Sequence, residues 1–240
     1  TYKIVAERYP INKRNRRCKE LLEMVKKENI DSAIIQTRFW TTSYIASKFV
    51  DKNNIPVCLI EHGSTHFTVN NKVLDFFGEI YEHMLTNSIK KRVKDFYGVS
   101  KKCTEWLKHF GIKAKGVFYN SVNTDEIEEY SKFINKDTGK LIITYTGRMI
   151  EEKGVPRLIE AFKNLDSKYE NLELDLAGDG PILEKIIQEN KDVKNIKVLG
   201  KISHQEVMEL LGKTNIFVNP SHFSEGLPTT ILEAGMMKCA

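Results

Sequence analysis

Residues 141–165 read LIITYTGRMIEEKGVPRLIEAFKNL. The first six, Leu141–Thr146, are apolar or β-branched, the composition of a strand buried on both faces. Gly147 then turns the chain, and Arg148 follows at once. Lys153 and Gly154 precede a second pattern, in which Leu158, Ile159 and Phe162 recur on one helical face. Pro156 suits the first turn of that helix, where its missing N–H costs nothing. A buried strand that passes through a short charged loop into an amphipathic helix is half of a β-α-β unit.

The same alternation continues in both directions. Strands are expected at Ser32–Gln36, Pro56–Glu61, Arg92–Phe96, Gly116–Tyr119, Leu172–Ala177, Ile196–Leu199 and Ile216–Asn219, and Thr1–Ala6 also reads as one. Helical periodicity falls at Arg17–Glu28, Pro181–Gln188 and Gln205–Leu211. Strands separated by helices at this spacing predict an α/β fold of parallel sheets covered by helices. Residues 120–140 hold few apolar side chains. We therefore expect two Rossmann-like domains, residues 1–135 and 136–240, the first incomplete at its start and the second at its end.

Of the 240 residues 41% are hydrophobic and 29% charged, a globular composition. No apolar run approaches the roughly 20 residues of a membrane span, and no signal-peptide pattern is visible. Cys18, Cys58, Cys103 and Cys239 are far apart with no C-x-x-C pair, which argues against disulfides and metal clusters and fits a reducing, cytoplasmic setting. Residues 1–139 carry 24 Lys or Arg against 17 Asp or Glu, whereas residues 140–240 carry 13 against 15. The basic half, with Lys13–Arg17, Lys90–Arg92 and Lys101–Lys102, suits an anionic membrane surface, with the chain peripheral at the inner face. Few aromatics interleave with these clusters, so nucleic acid is not an expected partner.

Two segments carry the chemistry. In TGRMIEEKGV, residues 146–155, two cations stand at a strand C-terminus beside a helix start, where open parallel sheets bind ligands and where a diphosphate fits. In FVNPSHFSEGLPTTILEA, residues 217–234, a strand runs through a Gly-containing loop into a helix near Pro228. Its first backbone N–H groups, at Leu227, Thr229 and Thr230, suit an anion. Glu225 and Glu233 lie on either side of that point, and carboxylates accept hydrogen bonds from sugar hydroxyls.

The segment SEGLPTTILEA resembles the E-x7-E region of the retaining glycosyltransferases of family 4 (glycosyltransferase group 1), which have the GT-B fold. The same family order is followed by Glu61-His62-Gly63, Tyr97-Gly98-Val99-Ser100, Asn120-Ser121-Val122-Asn123, TGRMIEEKG, LAGDGP and Val198-Leu199-Gly200. The resemblance implies two Rossmann-like domains facing a cleft and a retaining hexosyltransferase that uses a UDP- or GDP-sugar donor and a glycan or lipid-linked acceptor, in cell-surface polysaccharide synthesis. It implies that Arg148, Lys153 and the Gly226, Leu227 and Thr230 region bind the donor diphosphate. Glu233 would hold the ribose, Lys201 and Ile202 would lie near the base, and His62 and Glu225 would contact the transferred sugar. No cofactor or metal is implied. The family's Gly-rich loop after the first strand and its closing second-domain elements are missing, so a chain truncated at both ends is expected, its donor half present and its acceptor half incomplete.

Other readings are a sugar-nucleotide epimerase or phosphorylase of the same fold, or a non-catalytic nucleotide- or membrane-binding module. Gly178-Asp179-Gly180-Pro181 is not G-x-G-x-x-G, and neither a P-loop nor G-x-S-x-G occurs, which disfavours dehydrogenases, P-loop enzymes and nucleophile-elbow hydrolases. His66, His83, His109, His204 and His222 have no metal-ligand spacing and are expected to be structural or surface residues.

Overall fold

The structure, a computed structural model, describes residues 20, 25, 27–28, 30–68, 71–123, 125–136, 139–222 and 226–240. The expected strand Thr1–Ala6, Cys18 and almost all of the expected helix Arg17–Glu28 lie outside the described residues.

The chain divides into two compact units, residues 1–119 with Glu225–Leu227, and residues 120–224 with Pro228–Ala240. In the first, β1 (Ala33–Gln36), β2 (Val57–Glu61), β3 (Asp95–Gly98) and β4 (Gly116–Val117) form a parallel sheet in the order β1-β2-β3-β4. Between them run α1 (Thr41–Lys52), α2 (Lys72–Ile89) and α3 (Lys101–His109). Ile35, Leu59, Ile89, Val93, Phe96, Leu107 and Phe110 form the core. Ser100 caps α3 by accepting from the Cys103 amide at 3.2 Å.

In the second unit β5 (Leu141–Thr146), β6 (Leu172–Ala177), β7 (Ile196–Gly200) and β8 (Ile216–Phe217) are parallel in the order β7-β6-β5-β8. The helices are α4 (Asp125–Ser131), α5 (Val155–Asp166), α6 (Leu183–Asn190), α7 (His204–Lys213) and α8 (Thr229–Met236). β6 is buried along its whole length, as expected of a strand covered on both faces. The α5 face seen in the sequence packs Val155, Leu158, Ile159 and Phe162 onto Tyr145, Leu174 and Leu176. The strand order runs outward from β5 to β7 on one side and switches to β8 on the other, and such a switch point opens a crevice at the strand C-termini.

The second unit begins at Asn120, earlier than the expected residue 136. The reason is packing: Tyr130 and Phe133 join Met208, Leu211 and Met237 in one cluster. Lys136 Nζ then donates to the carbonyls of Leu211 and Thr214 at the end of α7, at 2.7 and 2.5 Å. Cys58, Cys103 and Cys239 are free thiols.

One polar group sits awkwardly in this unit. Asp175, in the middle of β6, is 5% exposed, and its Oδ1 has no hydrogen-bond partner among the described residues. Burial, with the charge of Glu173, pushes its pKa up to about 6. A carboxyl raised in this way favours the fold below its unfolded pKa and loses that advantage as pH rises through about 6. Asp175→Asn should therefore raise the unfolding midpoint at pH 8, with the gain shrinking to nothing near pH 4. A pH series of thermal melts of both proteins checks this, and a gain that is constant across pH would contradict it.

Candidate functional site

The site grows from the ends of β5, β6 and β7. After Thr146 the chain turns at Gly147, and Met149, fully buried in the core, pins the loop from below. Arg148, between them, is left exposed. The Tyr145 phenol donates to the Arg148 carbonyl at 2.8 Å, and burial pushes that phenol up to about 12, so it stays protonated as a donor. The loop after β6 locks onto the first one. The amide of Met149 donates to Asp179 O at 2.9 Å, and that of Ile182 to Met149 O at 3.2 Å. Gly178 has φ 146°, and a Cβ there would lie 1.7 Å from the Gly147 carbonyl oxygen. No other residue can stand at 178 without moving one strand-end loop off the other.

Lys153 ends a short 3₁₀ turn, Glu151–Lys153, directly before α5. Burial lowers its pKa, and the neighbouring Arg148 charge lowers it further. That coupling makes the two cations electrostatic neighbours. Gly154, at φ 74°, leaves the turn in the left-handed region.

The loop after β7 brings Lys201 and Ile202 to the same edge. Ser203 then caps α7 in a capping box with Glu206, so that His204 is the first helical residue. From α8, Thr230 and Glu233 complete the wall. Glu233 Oε1 is 4.0 Å from His204 Nδ1. α8 starts after Pro228 with no side-chain cap, which leaves its first turn suited to an anion.

These parts enclose a cavity of about 360 Å³ within the second unit. Its lining includes Thr146, Gly147 and Arg148 from the first loop, Gly178 and Asp179 from the second, Lys201, Ile202, His204 and Val207 from the third, and Thr230 and Glu233 from α8. Five sequence-predicted residues, Arg148, Lys201, Ile202, Thr230 and Glu233, thus share one cavity, and Lys153 is coupled to Arg148 beside it. Gly226 and Leu227 group with the first unit, and Glu225 lies outside the described residues. His62, also in the first unit, has Nε2 2.5 Å from Gln36 Oε1, and burial lowers its pKa against the pull of Glu61. Sequence reasoning missed Asp179, His204 and Val207 as lining residues. The Ser203–Glu206 spacing could have placed His204 at the start of its helix, facing the same edge.

A second cluster departs from expectation. His66, His83 and His109 were expected to be structural or surface residues without metal-ligand spacing, but one ring nitrogen of each lies within 4.8 Å of the other two in the first unit.

Each unit is an α/β fold with a parallel sheet, and the cavity of the second lies at its strand C-termini, where open parallel sheets hold their ligands. The family model for glycosyl transferases group 1 matches residues 100–240, and the chain belongs to that family. TuaC of Bacillus subtilis (strain 168), assigned as a teichuronic acid biosynthesis glycosyltransferase, is 27% identical over 89% of this chain and 53% of its own length. The uncharacterized glycosyltransferase MJ1178 of Methanocaldococcus jannaschii is 28% identical over 90% of this chain and 56% of its own. The chain thus spans about half the length of the curated relatives it matches. Among solved structures, Anabaena HepE in complex with UDP-glucose superposes with TM-score 0.65 at 13% identity, over 95% of this chain and 63% of that one. Staphylococcus aureus TarM, in a complex that contains UDP, gives 0.64 at 16%, over 91% and 43%. These superpositions establish the α/β fold of parallel sheets as that of GT-B glycosyltransferases.

The Gly178–Gly147 approach predicts a sharp contrast. Gly178→Ala should cost on the order of 2–4 kcal/mol, because backbone must move. Gly235→Ala, in α8 with nothing within 4 Å of the new Cβ, should be neutral or stabilising by up to about 1 kcal/mol. Urea unfolding of both variants measures the difference, and equal effects would refute the assigned constraint.

Proposed function

We propose that the chain carries the donor half of a glycosyltransferase that moves a sugar from a nucleoside-diphosphate sugar to a glycan or lipid-linked acceptor with retention of configuration. The observation that carries the reading is the cavity in the second unit, where Arg148, Lys201, Ile202, Thr230 and Glu233 converge. The UDP-glucose complex of one structural neighbour, the UDP-containing complex of another and the teichuronic acid biosynthesis for which a sequence relative is named support it. They favour UDP over GDP.

On this reading Arg148 and Lys153 face the diphosphate, with the first turn of α8 at Thr230 and the Gly226-Leu227 backbone as further donors to its oxygens. Glu233 accepts from the ribose hydroxyls, and the backbone at Lys201 and Ile202 borders the base. His62 and Glu225 contact the transferred sugar. The bond between the anomeric carbon and the diphosphate oxygen breaks as an acceptor hydroxyl attacks on the same face. The hydroxyl proton passes to the departing diphosphate oxygen. Negative charge grows on that diphosphate, so the two cations stabilise the transition state more than the ground state. No metal is needed for this step.

Titration of this chain with UDP tests the site. Arg148→Ala should weaken binding about 10- to 100-fold, the cost of losing a charge-assisted hydrogen bond. Glu233→Ala should erase any preference for UDP over 2′-deoxy-UDP, as removal of a ribose acceptor must. Unchanged affinity in both variants would remove the site assignment. Acceptor-independent conversion of the nucleotide sugar would favour the epimerase reading instead, and phosphate-dependent release of a sugar phosphate the phosphorylase reading.

A second element of the proposal is docking on an anionic lipid surface. α2 exposes Leu74 (59%), Phe77 (62%) and Met84 (61%), with Val73, Phe76 and Ile80 beside them. Lys72 opens the helix and Lys91 and Lys94 follow it. Apolar side chains flanked by Lys suit a headgroup interface. No described helix is long and apolar enough to cross a membrane. Co-sedimentation with vesicles rich in anionic lipid should be lost in Phe77→Glu and weakened by salt, and equal sedimentation of the variant would exclude α2 as the contact.

A further inference from the structure

We propose that the first unit holds a zinc site built from His66, His83 and His109. The three come from different elements: His66 from the loop after β2, His83 from the third turn of α2, and His109 from the last position of α3. His109 Nε2 lies 3.2 Å from His66 Nε2 and 3.2 Å from His83 Nε2. Tetrahedral zinc with Zn–N bonds of about 2.0–2.1 Å requires nitrogen pairs separated by about 3.3 Å. The two edges at His109 meet that requirement within about 0.1 Å, and the third pair, His66 with His83, lies within 4.8 Å.

Hydrogen bonding alone explains the convergence poorly. His66 Nδ1 donates to Glu82 Oε2 at 3.0 Å, which leaves a lone pair on His66 Nε2 in the neutral ring. A single proton on His109 Nε2 can point at one of its two neighbours only. One cation at the centre accepts all three lone pairs together. Glu82 is also the carboxylate that such sites place behind a ligating histidine, fixing its tautomer and raising its basicity. It is itself held: Glu82 Oε2 accepts from Arg38 Nη2 at 2.9 Å, and Oε1 from the Phe67 amide at 2.7 Å.

The surroundings hold the rings as a site requires. Trp106 stacks on His109 at 4.7 Å with an interplanar angle of 6°, and Phe110 meets His66 edge-on at 5.8 Å. His109 is exposed, so a fourth position is open to water. The ion would tie the loop that begins at His62 to α2 and α3, a structural role distinct from the metal-independent sugar transfer.

The test is calorimetric titration of ZnCl₂ into tag-free, chelator-treated protein. One equivalent should bind, and the thermal midpoint should rise with zinc. His83→Gln and His109→Gln should each weaken binding by at least about tenfold, while His222→Gln, outside the cluster, should leave it unchanged. Cobalt in place of zinc should give the intense visible bands of a tetrahedral site, lost in both cluster variants. His109 is exposed at a helix end, so its variant should keep the wild-type circular dichroism. Absence of saturable binding, or equal zinc affinity in the His83→Gln/His109→Gln protein, would overturn the proposal.

Discussion

Two strand-end loops of the second unit are in backbone contact, and the cavity depends on it. The Gly147 carbonyl occupies the space where any side chain at 178 would begin. With Gly178 in place, the Met149 amide reaches Asp179 O, and Gly180 fits under Met149 O, where a Cβ would come within 2.3 Å. Met149 is thereby drawn into the core, and Arg148 is forced outward into the cavity wall. The glycines act through close approach of backbone to backbone. They are the reason a charged side chain at a strand end has one position.

The first unit solves a different problem, that of a charge in a core. Arg38 is fully buried between Glu61 (3.0 Å) and Glu82 (2.9 Å), and its guanidinium lies 4.0 Å from the centre of the Phe110 ring. Such a network rarely adds stability over apolar residues, but removal of one member strands the others. Its consequence here is geometric. Glu61 Oε1 also accepts from the Gly63 amide at 2.8 Å, and Glu82 accepts from the Phe67 amide and from His66. The loop after β2, which carries His62, is therefore fixed at both ends by the carboxylates that hold Arg38.

Much of this was legible in the sequence wherever one pattern dominated. β5 and β6 fall on the expected residues because β5 is apolar or β-branched on both faces and β6 alternates Leu172, Leu174 and Leu176 with Glu173 and Asp175 in the strand period of two. The β3 expectation, Arg92–Phe96, started three residues early: Val93 is core, but it sits in the turn after α2, not in the strand. α1 and α2 gave no clear signal, since α2 puts Leu74, Phe76, Phe77 and Ile80 toward solvent while it buries Glu82 and Thr86. Arg38 reads as an ordinary surface charge, and only the fold brings Glu61 and Glu82 to it across 23 and 44 residues. The histidine trio was invisible for the same reason. His66 and His109 are 43 residues apart and meet only because α2 and α3 pack beside one loop.

Electrostatics links the site to its proposed occupant. Lys153 is held below the ordinary lysine range by burial and by Arg148, so the fold spends stability to keep two cations together. A lysine shifted down contributes against folding most where it is charged, which includes neutral pH. A diphosphate between the two would reverse both causes, because it replaces lost hydration with anionic oxygens and cancels the mutual repulsion. Binding would then raise the Lys153 pKa, take up protons at alkaline pH and stabilise the second unit together. A merely structural pair of surface cations would be relieved by salt and would not discriminate a diphosphate from a monophosphate. On the proposed reading that discrimination would follow from spacing, since Arg148 leaves the strand end and Lys153 arrives one short turn later, before the start of α5.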